Sequence, residues 1–138
     1  MIKFKPVFYV LMLILGTAQL FAQSNFDYEL ELIPLSVPNL PGFHSFSFAQ
    51  DNGKWLVIGG RLDGLHARQP FNAFPQAQNN TAIYVIDINT QQYWSAPLTS
   101  LSTSIQEQLQ STNMNFYQDK DSLYLIGGYA YSPTAGDH

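Results

Sequence analysis

Residues 45–60 and 113–128 align without a gap at an offset of 68, and this repeat constrains the fold more than any other feature of the sequence. Phe46 meets Met114, Phe48 meets Phe116, and Gln50-Asp51 meets Gln118-Asp119. Leu56-Val57-Ile58-Gly59-Gly60 meets Tyr124-Leu125-Ile126-Gly127-Gly128. Each copy reads as strand, tight turn, strand. Asp51-Asn52-Gly53-Lys54 is a strong hairpin signal, because Asn and Gly tolerate the positive φ of a type I′ turn. Asp119-Lys120-Asp121-Ser122 is a weaker turn at the same place, and its two carboxylates lack the other positions of a calcium loop. The stretch from His44 to Phe48 alternates like a half-buried strand, whereas Trp55-Leu56-Val57-Ile58 is apolar on both faces.

A third strand is expected over residues 81–88. Asn89-Thr90-Gln91-Gln92 turns the chain into a short fourth strand over 93–96, so four strands make one antiparallel meander. Its middle strands are apolar on both faces, and such a sheet must be covered on both sides. Apolar residues make up 46% of the 138-residue chain, enough to supply that cover. Stacked sheets cover one another, and a β-propeller does so around a ring.

These residues resemble the kelch repeat family. Ile58-Gly59-Gly60 and Ile126-Gly127-Gly128 match its apolar strand ending in Gly-Gly, and Ile86-Asp87 with Thr90 and Trp94 resembles its downstream Tyr-Asp and Trp. Ile86 stands where the family has Tyr, and Tyr93 occupies the usual Trp spacing. The resemblance implies an all-β, kelch-type propeller with blade one over residues 42–97 and the first half of blade two over 112–131. A propeller needs at least about four blades, so the remaining blades are expected C-terminal to His138. The alternating segment 27–33 resembles an outer strand able to complete the last blade.

The N-terminus carries Lys3 and Lys5, an apolar run over residues 7–15 and then small residues, the parts of a secretory signal peptide. Cleavage follows Ala18 or Ala22; the second defines a leader over residues 1–22 and a polar start at Gln23. Loss of both lysines takes the net charge from −4 to −6. The expected product is secreted or extracytoplasmic, with no membrane span after cleavage. Charged residues are only 12% of the chain and form no Lys/Arg cluster, so nucleic acid is not an expected partner. The absence of cysteine removes disulfides and thiolate chemistry.

In a propeller the connections between strands one and two and between three and four share a rim, and in this chain they are tight. The opposite rim carries residues 36–42, the 20-residue connection 61–80 and residues 99–112. Structureless connections beyond about 12–15 residues are often functional. In the last of the three, Ser104-Ile105-Gln106-Glu107 fits a capping box, and Leu101, Ile105 and Leu109 share a helical face.

The long connection holds Arg61, Asp63, His66, Arg68, Gln69, Phe71, Asn72 and Phe74, groups that suit a glycan or peptide ligand. A bland reading stands beside it, in which Phe71 and Phe74 cap the loop and Arg61 pairs with Asp63. His44 reads as a packed or solvent-facing strand residue. Asp63 and His66 are too few for a metal site, and no cofactor is expected. Asn79-Asn80-Thr81 is a glycosylation sequon.

The expected function is recognition of a glycan or protein ligand on the long-loop rim. The alternative is a carbohydrate-active or redox enzyme, since some kelch-like propellers epimerise sialic acid or oxidise galactose with copper. No catalytic residue is assigned: the sequence has no nucleophile elbow or phosphate loop, and the oxidase chemistry needs a cysteine.

Overall fold

The computed structural model describes residues 28–64 and 74–136. The chain divides into two units, Met1–Ile33 and Pro34–His138. The leader and residues 65–73 lie outside the described residues. In the first unit, residues 28–33 make no β-ladder and their side chains are exposed, so the strand expected there is not formed. Alternation supplies an apolar stripe, but a strand also needs a neighbour for its N–H and C=O groups.

The second unit contains β1 (Ser47–Asp51), β2 (Lys54–Ile58), β3 (Ala82–Asp87), β4 (Gln92–Pro97), α1 (Thr103–Leu109), β5 (Asn115–Asp119) and β6 (Ser122–Ile126). Strands β1 to β4 form one antiparallel sheet in chain order, and β5 pairs with β6 in a second. Neither sheet closes on itself among the described residues. No described helix is long and apolar enough to cross a membrane.

The repeat extends to the backbone. Asn52 and Lys120 take left-handed φ values of 45° and 52° in the two hairpin turns, and Ser45 and Asn113 take 54° and 56° before them. Gly59 and Gly127 lie at 67° and 70°. Isolated bridges join His44 to Arg61 and Thr112 to Tyr129, again 68 residues apart. At the β3–β4 turn, Asp87 Oδ1 accepts the N–H groups of Asn89 and Thr90 at 3.0 Å, while its other oxygen lies 3.6 Å from Lys54 Nζ. Those amide bonds, with the nearby lysine, hold the Asp87 carboxyl below its ordinary pKa.

Register assigns the faces. Leu56 lies opposite Ala49 and Val85, so these three share one face with Ser47, Ile58 and Lys54. Ser47 and Ala49 are buried while Phe48 is partly exposed, so small residues take the inner side of β1. That inner face looks onto the second sheet. Ala49, Leu56 and Val85 line a cleft of about 330 Å³ with Gln118 and Leu123.

Several contacts join the two repeats, among them Asn113 N–H to Ser45 C=O at 3.0 Å. Phe48 meets its counterpart Phe116 edge-on at 5.2 Å. The Gln118 side chain accepts from Gln50 N–H and donates to Gln50 C=O, both at 2.9 Å. Gly60 N–H donates to Ser111 C=O at 3.0 Å. The opposite face of the first sheet is covered in part by the preceding segment: Phe43 packs edge-on to Tyr84 at 4.8 Å, and Tyr93 Oη donates to Asn39 C=O at 3.0 Å. Tyr93 is the packed aromatic of β4, and Trp94 stays exposed.

Helix α1 forms where its pattern predicts, but its N-cap is Ser102 rather than Ser104, and no side-chain cap bond is made. The capping box fails on register: with Ser102 at the N-cap the third helical position is Ile105, two places before Glu107. The Glu107 carboxylate accepts Ser132 Oγ at 2.8 Å and Thr134 Oγ1 at 2.6 Å, bonds that depress its pKa.

A Cβ on Gly59 would collide with Ser111 C=O and lie 2.6 Å from Met114 Cε, whereas one on Gly127 would meet nothing within 4 Å. Both positions have positive φ, which costs an L-residue roughly 1 kcal/mol. Urea melts are expected to show Gly127→Ala losing about that amount and Gly59→Ala losing at least twice as much.

Candidate functional site: the rim anchored by Arg61

The long connection 61–80 begins and ends in one polar knot. Its centre is Arg61, 1% exposed despite its charge. A buried guanidinium must find acceptors for its donors. Nε donates to Asp63 Oδ1 at 3.0 Å and Nη2 to Asp63 Oδ2 at 2.7 Å, a two-point pairing with one carboxylate. Nη1 donates to Asn79 Oδ1 at 3.0 Å, and Nη2 also to Pro75 C=O at 3.2 Å. The Phe74 ring lies 5.3 Å from the guanidinium carbon and packs edge-on against Tyr129 of the second repeat at 5.0 Å.

The backbone secures the same ends. Arg61 exchanges N–H···O bonds with His44, and Leu62 N–H donates to Gln78 C=O at 3.0 Å. Asn80 N–H donates to Gly60 C=O at 3.0 Å, and its side chain donates to Gly59 C=O at the same distance. The 3-10 turn Gln76–Gln78 brings the chain back into this knot.

Asp63 carries the electrostatic signature of the pair. Hydrogen bonding from Arg61 holds its carboxyl down to about 2, against a penalty from partial burial. His44 Nε2 adds a weaker contact to Asp63 Oδ1 at 3.4 Å. His44 is thus tied to the loop rather than simply packed in a strand.

Of the expected site residues, Arg61 and Asp63 are brought together, and with Phe74 they form the root of the loop. The Arg61 donors are taken up by that root. His66, Arg68, Gln69, Phe71 and Asn72 lie outside the described residues. Asn79 is buried and bonded to Arg61, which withholds its side chain from glycosylation in the folded chain. Among the described residues no group of three or more His, Asp or Glu side chains is arranged to hold a metal ion.

Sequence reasoning missed the clefts between the repeats. The 330 Å³ cleft has a polar rim of Gln50, Asp51, Lys54, Gln118, Lys120 and Asp121 over its apolar floor. Two carboxylates balance two ammonium groups there, which suits a neutral, hydroxyl-bearing molecule more than an ion. The signal was present in the aligned Gln-Asp pairs, but strand alternation cannot say that both copies meet at one edge. A further hollow of about 410 Å³ lies between α1 and the second glycine doublet, bordered by Glu107, Gln108, Gly127, Gly128 and Ser132.

Comparison with protein-family models, curated proteins and solved structures returned no match.

Two outcomes are expected of the knot. Arg61→Met leaves Asp63 and Asn79 without their main partner and should destabilise by about 3 kcal/mol in urea melts. The Asp63 pKa is lower in the folded than in the unfolded chain, so its stabilisation is present above about pH 4 and is lost as pH falls toward 2. Asp63→Asn should therefore be less stable than the parent at neutral pH, and the difference should shrink through that acid window.

Proposed function

We propose that this chain is an exported recognition module of the kelch-like propeller type, binding a glycan or protein ligand on the rim that carries its long connections. The propeller reading draws support from repeat counterparts in contact, Phe48 with Phe116 and Gln50 with Gln118, and from two sheets that share a cleft face to face. Neighbouring sectors of a ring meet in this way. Further repeats C-terminal to His138 would supply the remaining sheets, and the leader over residues 1–22 would direct export.

The ligand reading is carried by the Arg61 knot. A binding loop works best when its ends are held and its middle varies in chemistry. Both ends of the 61–80 connection are tied here by a buried guanidinium, and the sequence between them supplies His66, Arg68, Phe71 and Asn72. Aromatic faces and amide or guanidinium donors are the groups that grip sugar rings and peptide backbones.

A glycan array tests the proposal. The parent protein is expected to bind a restricted set of sugars. Exchanging residues 65–73 for a Gly/Ser linker of equal length should abolish that binding while the melting temperature stays within a few degrees. Retained binding by the exchanged protein places the ligand elsewhere and overturns the reading.

A further inference from the structure

The two sheets face each other without filling the space between their turns. Ala49 stands in one wall, where the second repeat has Tyr117. A methyl group reaches only a short way into the gap, and a cleft of about 330 Å³ remains between the β1–β2 and β5–β6 turns. That volume falls at the lower end of small-molecule pockets, which run to about 300–1,000 Å³. Both walls are built from described residues, and they are the inner, mutually facing sides of the two sheets. Strands pairing with β6 would lengthen the second wall beside β3 and β4, and later repeats would stack on its opposite face.

The mouth of the cleft is held at a fixed width. The Gln118 side chain accepts from Gln50 N–H and donates to Gln50 C=O and to Lys120 C=O, all at 2.9 Å. One amide thereby ties β1, β5 and the second turn together. Groups fixed in advance lose little freedom when a ligand arrives. On the floor, Leu56, Val85 and Leu123 are only half-buried, so apolar surface stays in contact with water. On the rim, Asp51 and Lys54 come from the first turn, and Lys120 and Asp121 from the second. Lys54 also lies 3.6 Å from Asp87, while Lys120 and Asp121 form no ion pair among the described residues.

This rim selects by hydrogen-bond chemistry. A carboxylate only accepts, an ammonium only donates, and a hydroxyl does both. A molecule with several hydroxyls can satisfy all four groups at once. An anion is opposed by the two carboxylates and a cation by the two ammonium groups. The aliphatic floor suits the C–H face of a sugar. We propose that the cleft binds one neutral sugar ring, with its hydroxyls on Asp51, Lys54, Lys120 and Asp121 and its apolar face over Leu56 and Leu123. The site lies at the opposite end of β2 from Arg61, so it is separate from the ligand reading of the long connection and can fail while that reading survives.

Amide chemical-shift titration of the full chain with glucose, galactose and mannose, to tens of millimolar, is the test. At least one of the three is expected to move the amides of Asp51, Lys54, Lys120 and Leu123 with a Kd of about 1 mM. Glucuronate and protonated glucosamine each add a charge and should bind the same amides roughly tenfold more weakly. Ala49→Leu fills the floor and should weaken the sugar about tenfold, its own spectrum showing that it is folded. Lys120→Asn keeps a residue that tolerates the left-handed turn and leaves one negative charge in excess on the rim, so glucosamine should then bind at least as well as the neutral sugar. Exchanging residues 65–73 for a Gly/Ser linker should leave the titration unchanged. The proposal is overturned if none of the three sugars moves these amides, if the parent binds the charged sugars as well as the neutral ones, or if either substitution leaves the preference as it was. Loss of binding in the linker exchange also overturns it, by placing the sugar on the long connection.

Discussion

The two repeats are joined through their backbones where Gly60 N–H donates to Ser111 C=O and Asn113 N–H to Ser45 C=O, both at 3.0 Å, and the first of these rests on the absence of a side chain at Gly59. Gly59 and Gly60 both hold positive φ, and a Cβ on Gly59 would strike Ser111 and Met114 of the next repeat. Without side chains there, Gly60 N–H reaches Ser111 C=O, Asn80 reaches the Gly59 carbonyl, and the segment leading into β5 lies against the end of β2. The contact sets the second sheet over the first. It also places Arg61, the next residue, where the loop returns.

Arg61 shows how a charge can be buried at modest cost. Its partners come from three points of one connection, Asp63, Pro75 and Asn79, and a ring lies beside its plane. The arrangement ties a long excursion at its root, and it couples that root to the second repeat through Phe74 and Tyr129. Loop and repeat packing are therefore not independent: loosening one removes a wall of the other.

The same geometry leaves an asymmetry. Among the described residues the first sheet is covered in part on both faces and the second on one. Equivalent positions differ several-fold in exposure although φ at Ser45 and Asn113, at Asn52 and Lys120, and at Gly59 and Gly127 agrees to within a few degrees. Local sequence sets those angles, while burial depends on what lies next door.

Much of the local structure was legible in the sequence. The offset of 68 predicted two hairpins, Asn52-Gly53 predicted the tight turn, and the apolar run before Gly59-Gly60 predicted the inner strand β2, because short-range sterics and periodicity decide those features. Helix α1 was legible too, but not its start, which falls at Thr103 after Ser102, nor that Glu107 bonds to Ser132 and Thr134, which are distant in sequence. Residues 28–33, the described part of the strand expected over 27–33, pair with no other strand, since alternation says nothing of whether a partner edge is at hand. The pairing of Arg61 with Asp63 was readable from their spacing. Tertiary structure alone decided that Asn79 and Pro75 complete the knot, that Gln118 clasps Gln50, and that clefts open between the repeats. Those contacts join residues up to 68 apart, and no local preference of the chain specifies which distant groups its folding brings within hydrogen-bond reach.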